Sequence, residues 1–123
     1  MDLFELEENK NLNLMKNNQS INYITQVVLD GMRSEFQQNR PQFVFVQGDT
    51  TTAFAASLAA FYEKIPIAHV EAGLRTGELL DPYPEEANRR LISQIATLHF
   101  APTEMARMNL SNSGIKENVF VTG

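Results

Sequence analysis

The sequence predicts an α/β fold in which the strands of one parallel sheet alternate along the chain with helices. Short apolar, β-rich runs at 43–46, 65–70, 98–101 and 118–123 are typical of buried strands. The segments between them place apolar residues three and four positions apart, as amphipathic helices do. Strands and helices that alternate in this way form βαβ units, so we expect a Rossmann-like sheet with helices on both faces.

Residues 1–19 differ from the rest of the chain. They are polar and rich in asparagine, and they contain at most one short strand, near Leu12–Met15. A helix is predicted from Ser20, a favourable N-cap residue, to the N-R-P sequence at 39–41. We therefore expect a polar segment followed by one folded unit over 20–123. The apolar face of the first helix consists of Ile21, Ile24, Val27, Val28, Met32 and Phe36.

Two strands and a helix follow. The F-V-F-V run at 43–46 is continuous and β-rich, which indicates a strand covered on both faces. A helix over roughly Thr51–Lys64 is rich in alanine, and such small residues let a helix lie close to a sheet. The next strand, at 65–70, ends at Glu71.

The second half of the chain continues the alternation. After an irregular loop, a helix is predicted from Pro84 or Glu85 to Ile95, because proline favours the first helical position and acids favour the first turn. A short strand then precedes a helix that Thr103 caps and Gly114 ends, and a last strand reaches the end of the sequence.

The composition argues against several classes of protein. A net charge of −5 argues against a nucleic-acid partner, because phosphate backbones select surfaces rich in Lys and Arg. The absence of cysteine excludes disulfides, thiol catalysis and thiolate metal sites. No stretch is long and apolar enough for a transmembrane span, and the acidic start lacks the layout of a signal peptide. We expect a cytoplasmic protein without a membrane partner.

Three carboxylates lie where the carboxyl ends of parallel strands meet, the edge at which α/β sheets bind ligands. They are Asp49 after the first strand, Glu71 after the second, and Glu85 at the start of the following helix. For Asp49 two interpretations stay open, an N-cap of the helix that follows or a carboxylate of an active site. The position of Glu71 favours a functional role, because the ends of buried strands prefer apolar or turn residues unless a charge is needed there. Glu85 alone suits a first-turn acid that faces the helix dipole.

Together, the three acids favour acid–base chemistry. Carboxylates that converge on one crevice perturb one another's pKa values, which is how enzymes obtain general acids and bases at neutral pH. Arg75, Arg89 and Arg90 are candidates to balance the charge of these acids or to hold an anionic ligand. The candidate substrate-binding residues are Asp49, Glu71 and Arg75. At least one of Arg89 and Arg90 is expected on a solvated helix face.

The two histidines are weaker candidates. His69 shares a strand face with Glu71, because residues two apart along a strand point the same way. For His69, a catalytic role and a hydrogen-bonded, half-buried position both stay open, whereas His99 is expected to be structural. The sequence has no His/Asp/Glu spacing typical of a metal site, no G-x-G-x-x-G and no P-loop, so we expect no metal and no cofactor.

Four blocks carry a resemblance to a known family: Q-G-D-T-T-T-A-F-A-A-S-L-A-A-F-Y, H-V-E-A-G-L-R-T-G, P-Y-P-E-E-A-N-R and T-E-M-A-R-M-N-L. The order and spacing of these four blocks resemble those of the non-hydrolysing bacterial UDP-N-acetylglucosamine 2-epimerases. The resemblance covers nearly the whole length of the chain. The resemblance weakens before residue 20. The H-V-E-A-G-L-R-T-G block is highly specific, and the hydrolysing epimerases lack this form of it.

The resemblance implies two Rossmann-like domains of the glycosyltransferase-B type, with the active site in the cleft between them. It implies interconversion of UDP-N-acetylglucosamine and UDP-N-acetylmannosamine without NAD or an essential metal. The C2 proton is removed, UDP leaves by anti elimination to give 2-acetamidoglucal, and UDP then adds back with reprotonation on the opposite face. The family's catalytic acids match Asp49 in G-D-T, Glu71 in H-V-E-A-G and Glu85 in P-E-E.

The chain also departs from the family pattern. It has neither the G-T-R-P-E-type turn that follows the family's first strand nor the G-H-R-type motif that supplies a catalytic histidine. The resemblance therefore implies a partial N-terminal domain, inactive by itself. The alternatives are a non-catalytic UDP-sugar-binding module, one half of a split enzyme completed by a C-terminal half, and half of a glycosyltransferase. A homodimer is a further expectation, since family members are typically dimers.

Overall fold

The computed structural model describes residues 19–122, in which helices and strands alternate strictly. The strand expected near Leu12–Met15 lies outside the described residues. The elements are α1 (Ile21–Gln38), β1 (Val44–Gln47), α2 (Thr51–Tyr62), β2 (Ile67–Val70), α3 (Glu85–Ile95), β3 (Leu98–Ala101), α4 (Glu104–Asn112) and β4 (Val119–Val121).

The four strands form one parallel sheet in the order β1-β2-β3-β4. Their register places Val46, His69, His99 and Val119 side by side across the sheet. All the carboxyl ends therefore lie at one edge, and the loops that leave β1 and β2 are neighbours there. The predicted α/β fold with a parallel sheet is confirmed.

The helix starts follow the local sequence closely. The Ser20 Oγ accepts a hydrogen bond from the N–H of Tyr23 at 3.0 Å, and the Thr103 Oγ1 accepts one from Ala106 at 3.1 Å. Both predicted caps are confirmed, and each satisfies one of the donors that a helix N-terminus leaves free. Pro84 occupies the N-cap position of α3, one residue before the first helical position that its chemistry had indicated.

The core lies between the sheet and the helices. Small side chains along α2 let this helix approach both the sheet and α1, so that aliphatic residues of β1, β2 and α3 pack around it. A second, smaller cluster joins β3 to α4. The main cluster consists of Phe36, Val46, Ala53, Ala59, Ala60, Ile65, Ile67 and Ile92.

The described helices cover only one face of the sheet, which corrects the expectation of cover on both. Val46 is buried beneath α2, whereas its neighbour Phe45 points to the other face and is 58% exposed. The reason is topological. In a sheet whose strands follow in sequence order, crossovers of the same hand place every connecting helix on the same side. No helix within residues 19–122 is long and apolar enough to cross a membrane.

Candidate active site

The turn after β1 presents Asp49 at the carboxyl edge of the sheet. Gly48 has a φ of +78°, a conformation that glycine adopts without strain and that turns the chain sharply. The N-cap of α2 is Thr50, whose Oγ1 accepts a hydrogen bond from the N–H of Ala53 at 3.0 Å. The capping interpretation of Asp49 is therefore wrong, and its carboxylate is available for other contacts.

Asp49 is clamped to helix α3. The Arg89 Nη1 donates to Asp49 Oδ2 at 2.8 Å, and the Asn88 Nδ2 donates to the Asp49 carbonyl oxygen at 3.0 Å. The Arg89 side chain is 9% exposed and that of Asp49 is 27% exposed, so the Asp49 side chain stays partly accessible to solvent. These two bonds fix both the turn and the direction of the carboxylate.

Glu86 is the fully buried centre of this arrangement. Its carboxylate accepts hydrogen bonds from Arg89 Nε at 2.7 Å and Arg90 Nε at 2.9 Å. It also accepts from the backbone N–H groups of Thr76 at 3.1 Å and Gly77 at 3.4 Å. Burial raises the pKa of Glu86, but the bonds from Arg89, Thr76 and Arg90 outweigh it and lower that pKa to about 2. The buried charge is thereby fully compensated.

Glu71 follows β2 directly and sits in a strained backbone conformation. Its φ is +66°, in the left-handed region that non-glycine residues rarely adopt and that clusters at functional sites. A Cβ built on Gly48 would lie 3.6 Å from Glu71 Oε1, so the Glu71 carboxylate stands over the Asp49 turn. Among residues 19–122 its side chain has no hydrogen bond or ion pair, and it is exposed to solvent.

Glu85 opens α3 at the same edge. It precedes Asn88 and Arg89 by three and four residues, and residues at that spacing share a helix face. Because both of those residues contact the Asp49 turn, Glu85 lies on the side of α3 that faces Asp49. Glu85 is partly buried, and its side chain makes no hydrogen bond or ion pair within the described part of the chain.

Arg75 is directed toward α3. Its guanidinium donates to Ser93 Oγ at 3.2 Å and to the Leu74 carbonyl oxygen at 2.8 Å. Burial lowers the pKa of Arg75; Glu86 acts in the opposite direction, and Arg90 with Arg89 adds to the lowering. These contacts tie the Arg75 guanidinium to α3 and to its own loop.

The two remaining arginines differ in exposure. Arg89 is buried in its ion pairs with Asp49 and Glu86, whereas the side chain of Arg90 is 38% exposed. Arg90 is therefore the one of the two that lies on a partly solvated face of α3, while Arg89 does not.

His69 is fully buried beneath the Asp49 turn. Its Nε2 lies 2.8 Å from the Gly48 carbonyl oxygen, which only accepts, so the ring proton is on Nε2. Burial lowers the pKa of His69, although the Gly48 bond and the nearby carboxylates act the other way. His69 is thus a neutral, hydrogen-bonded support of the turn, more buried than the half-buried position expected.

His99 lies next to His69 in register and is also buried. Burial lowers the pKa of His99 to about 4, and His69 and Arg75 add to the effect. The buried His99 Nδ1 has no hydrogen-bond partner among the described residues, and the structural role expected for His99 stays a prediction. Among the residues that the structure describes, no group of three or more His, Asp or Glu side chains is arranged to hold a metal ion.

The structure thus brings Asp49, Glu71 and Glu85 to one edge of the sheet. Such an arrangement can take a proton from a bound ligand and return one, because two of these carboxylates are free of ion pairs. The sequence interpretation missed Glu86 and its link to Arg89. Their spacing of three residues, with Arg90 one position further, was a signal for helix ion pairs that was available in the sequence.

Comparison with known proteins identifies the family. The family model described as UDP-N-acetylglucosamine 2-epimerase matches residues 1–123. The UDP-N-acetylglucosamine 2-epimerase of Neisseria meningitidis is 51% identical over 124 residues, which cover 100% of this chain and 33% of the relative. The enzyme of Yersinia pestis is 48% identical, covering 98% of this chain and 32% of the relative.

A solved structure agrees with the sequence relatives. The crystal structure of the Neisseria meningitidis epimerase bound to UDP-GlcNAc superimposes with a TM-score of 0.86 at 53% identity, over 91% of this chain and 31% of that protein. The chain thus spans about a third of the length of the relatives that it matches. It belongs to the UDP-N-acetylglucosamine 2-epimerase family.

Proposed function

We propose that this chain supplies the acid–base carboxylates of a site that interconverts UDP-N-acetylglucosamine and UDP-N-acetylmannosamine. The observation that carries the proposal is the convergence of Asp49, Glu71 and Glu85 at the carboxyl edge of the sheet, inside the family's sequence blocks. A relative of 53% identity binds UDP-GlcNAc in its crystal structure. Inversion at C2 needs proton donors and acceptors on both faces of one sugar ring, which three separate carboxylates can provide.

The proposed reaction follows the non-hydrolysing route. One carboxylate removes the proton from C2 while the bond from C1 to UDP breaks, which gives 2-acetamidoglucal and UDP. UDP then adds back to C1, and a carboxylic acid on the other face returns a proton to C2. We assign these roles to the three acids as a set. Glu86 and Arg89 hold the Asp49 carboxylate in place during both steps.

For Arg75 we propose a long-range electrostatic contribution to binding the anionic substrate. Its guanidinium donates to Ser93 and to the Leu74 carbonyl oxygen, so a direct bond from these nitrogens to the ligand would require those contacts to change. Asp49 and Glu71 are the groups for which we propose direct substrate contact, since both face the crevice at adjacent strand ends.

We propose further that residues 20–123 form part of the N-terminal domain of such an enzyme and that this part alone does not turn substrate over. The support is the share of the relatives that the chain spans, about a third. Cytoplasmic location and dimer formation stay predictions from the sequence.

The test compares the chain alone with a chimeric enzyme in which the chain replaces the matching segment of the Neisseria meningitidis relative. Both are incubated with UDP-N-acetylglucosamine in deuterium oxide, and proton NMR follows deuterium at C2 together with formation of the manno epimer. We expect incorporation and epimer formation with the chimera and neither with the chain alone.

Two outcomes would count against the proposal. Deuterium at C2 with the isolated chain would show that it is catalytically complete. A folded chimera that binds UDP-N-acetylglucosamine without any exchange at C2 would favour the non-catalytic sugar-nucleotide module instead.

A further inference from the structure

His69 is a fully buried histidine whose ring, within residues 19–122, hydrogen-bonds only to the backbone of the Asp49 turn. It is 0% exposed, and its Nε2 lies 2.8 Å from the Gly48 carbonyl oxygen. Because that oxygen only accepts, the ring proton is on Nε2, and Nδ1 has no partner among the described residues. What distinguishes this ring from an aliphatic side chain at the same buried position is therefore its N–H bond to Gly48.

That bond, together with one from Asn88, holds the backbone on both sides of the Asp49 Cα. The Gly48 carbonyl, which precedes this Cα, accepts from His69. The Asp49 carbonyl, which follows it, accepts from Asn88 Nδ2 at 3.0 Å. His69 belongs to β2 and Asn88 to α3, so two separate elements hold the two peptide groups. With both groups held, the direction of the Asp49 Cα–Cβ bond is set.

The bond from His69 selects one orientation of the Gly48–Asp49 peptide group. Gly48 has a φ of +78°, and glycine also has access to other backbone regions, so its residue type does not fix the direction of this peptide. The peptide is trans, and its N–H therefore points away from the His69 ring. Within the described residues the Asp49 N–H makes no hydrogen bond, so it does not hold the peptide in place. The Gly48 carbonyl is the end of this peptide that is anchored.

The same contacts tie the Asp49 turn to the strand end that carries Glu71. His69 precedes Glu71 by two residues, and the Gly48 N–H donates to the Val70 carbonyl oxygen at 3.0 Å. Gly48 is thus bound to β2 through both its N–H and its C=O. Because a shift of the turn along the end of β2 would break these bonds, they set the position of the Asp49 carboxylate relative to Glu71.

We propose that His69 is a positioning residue of the epimerase site, which acts through the Gly48 carbonyl to hold Asp49 in register with Glu71. The inference rests on the proposed function, because it concerns the geometry of the same carboxylates. Proton transfer depends steeply on such geometry, and a misplacement of about 1 Å can lower a rate by about 100-fold.

The test uses the chimeric enzyme that carries this chain in place of the matching segment of the Neisseria meningitidis relative. His69→Leu removes the donor, and His69→Gln restores one, because the glutamine Nε2 reaches about as far from the backbone as the histidine Nε2. His99→Leu is the matched control. His99 lies beside His69 in register and is 3% exposed, and no hydrogen bond among the described residues joins its ring to the Asp49 turn.

Deuterium incorporation at C2 of UDP-N-acetylglucosamine gives kcat and KM, and calorimetric titration with UDP counts the binding-competent sites. We expect His69→Leu to lower kcat per site by about 100-fold and to change KM by less than about threefold, because a misplaced carboxylate weakens the transition state more than the bound substrate. His69→Gln should recover kcat to within about tenfold of the parent, and His99→Leu should stay within about threefold. A merely structural role would lower the number of competent sites in both leucine variants at an unchanged kcat per site.

Two kinetic results would overturn the proposal. One is a kcat per site of His69→Leu within about threefold of that of the parent chimera. The other is a His69→Gln variant that is no more active than His69→Leu. Crystal structures of the parent and of His69→Leu decide the question apart from turnover, since we expect the Asp49 carboxylate to move relative to Glu71, and unchanged positions would refute the role of His69. A parent chimera without exchange at C2 would refute the proposed function, and the two structures would then decide whether His69 positions Asp49.

Discussion

The role of Asp49 depends on its neighbour Thr50, because an aspartate at this position could itself have capped α2. The sequence allowed it to be a helix cap or a site carboxylate, and Thr50 takes the cap in the structure. Asp49 is thereby left to pair with Arg89. The positions of Asp49 and Glu71 after two neighbouring strands, and of Glu85 at the start of α3, followed from the alternation of strands and helices. The Glu86–Arg89 pair did not, because the interpretation treated first-turn acids as dipole partners only.

Replacing Thr50 with Ala should lower the free energy of unfolding by about 1 kcal/mol, since the cap bond to Ala53 is lost. Thr52→Ala, at an exposed position in the first turn of α2, is the matched control and should change stability little. Urea denaturation followed by circular dichroism measures both. An effect of Asp49→Ala on helix start with none from Thr50→Ala would restore Asp49 as the cap.

Glu86→Gln should lower the free energy of unfolding by about 3 kcal/mol, because it removes the buried charge that pairs with both Arg89 and Arg90 and leaves the buried Arg89 paired with Asp49 alone. The control is Glu104→Gln. It breaks an exposed pair with Arg107 at the same spacing of three residues and should cost less than about 1 kcal/mol. Equal losses in the two variants, measured by urea denaturation, would contradict the central place given to Glu86.

At the scale of elements, the loop between β2 and α3 is held by contacts that sequence patterns do not reveal. Gly73 packs against α4, where Asn109 Nδ2 donates to its carbonyl oxygen at 3.0 Å. Further along, Glu86 binds the loop through Thr76 and Gly77. The sequence predicted an irregular loop at this place. The bond from Asn109 could not be predicted, since it joins residues far apart in the chain and depends on how α4 is placed. The bonds to Glu86 depend on the path of an irregular loop, which no sequence pattern specifies.

Two glycines of this loop provide a matched pair. In Gly73→Ala the new Cβ would meet the backbone of Ala106 at far less than contact distance, at a φ of +97°, so we expect a loss of about 3 kcal/mol. Gly77→Ala has a similar φ of +88° but open space, and should cost about 1 kcal/mol from backbone strain alone. Thermal unfolding compares them, and equal melting temperatures would show that the packing on α4 is unimportant.

For the whole molecule, the alternation of apolar, β-rich runs with amphipathic helical segments was enough to predict a parallel α/β sheet. The bounds of the predicted strands differ from those of the observed strands by one or two residues at most. The F-V-F-V run was interpreted as a strand covered on both faces. Within the described residues only one face is covered, and Phe45 stays exposed. The apolar run alone does not say which chain segment covers each face of a strand, which is why the exposure of Phe45 could not be predicted.

The buried histidines predict a dependence of stability on pH. An unfolded chain protonates His99 near its ordinary value of 6.5, whereas the folded chain does so only near 4. The contribution of neutral His99 to the free energy of unfolding is therefore fully present above pH 6.5. It decreases as the pH falls toward 4, with a slope of about 1.4 kcal/mol per pH unit for one proton. Glu86 adds no slope above its ordinary value of 4.5.

His99→Gln should reduce the change of the free energy of unfolding with pH by about 1.4 kcal/mol per pH unit between pH 6.5 and 4.5. Urea denaturation at several pH values measures it, and the wild-type chain is the reference. A slope unchanged by the substitution would mean that His99 does not titrate on unfolding in this range.

The central claim is that Asp49, Glu71 and Glu85 are the acid–base groups of one epimerase site. The most direct measurement is the rate of deuterium incorporation at C2 of UDP-N-acetylglucosamine, by the chimeric enzyme that carries Asp49→Asn, Glu71→Gln or Glu85→Gln. We predict a loss of at least about 100-fold for each variant and no loss for Glu104→Gln. Rates within threefold of the parent chimera for any two of the three acids, in folded protein, would contradict the claim.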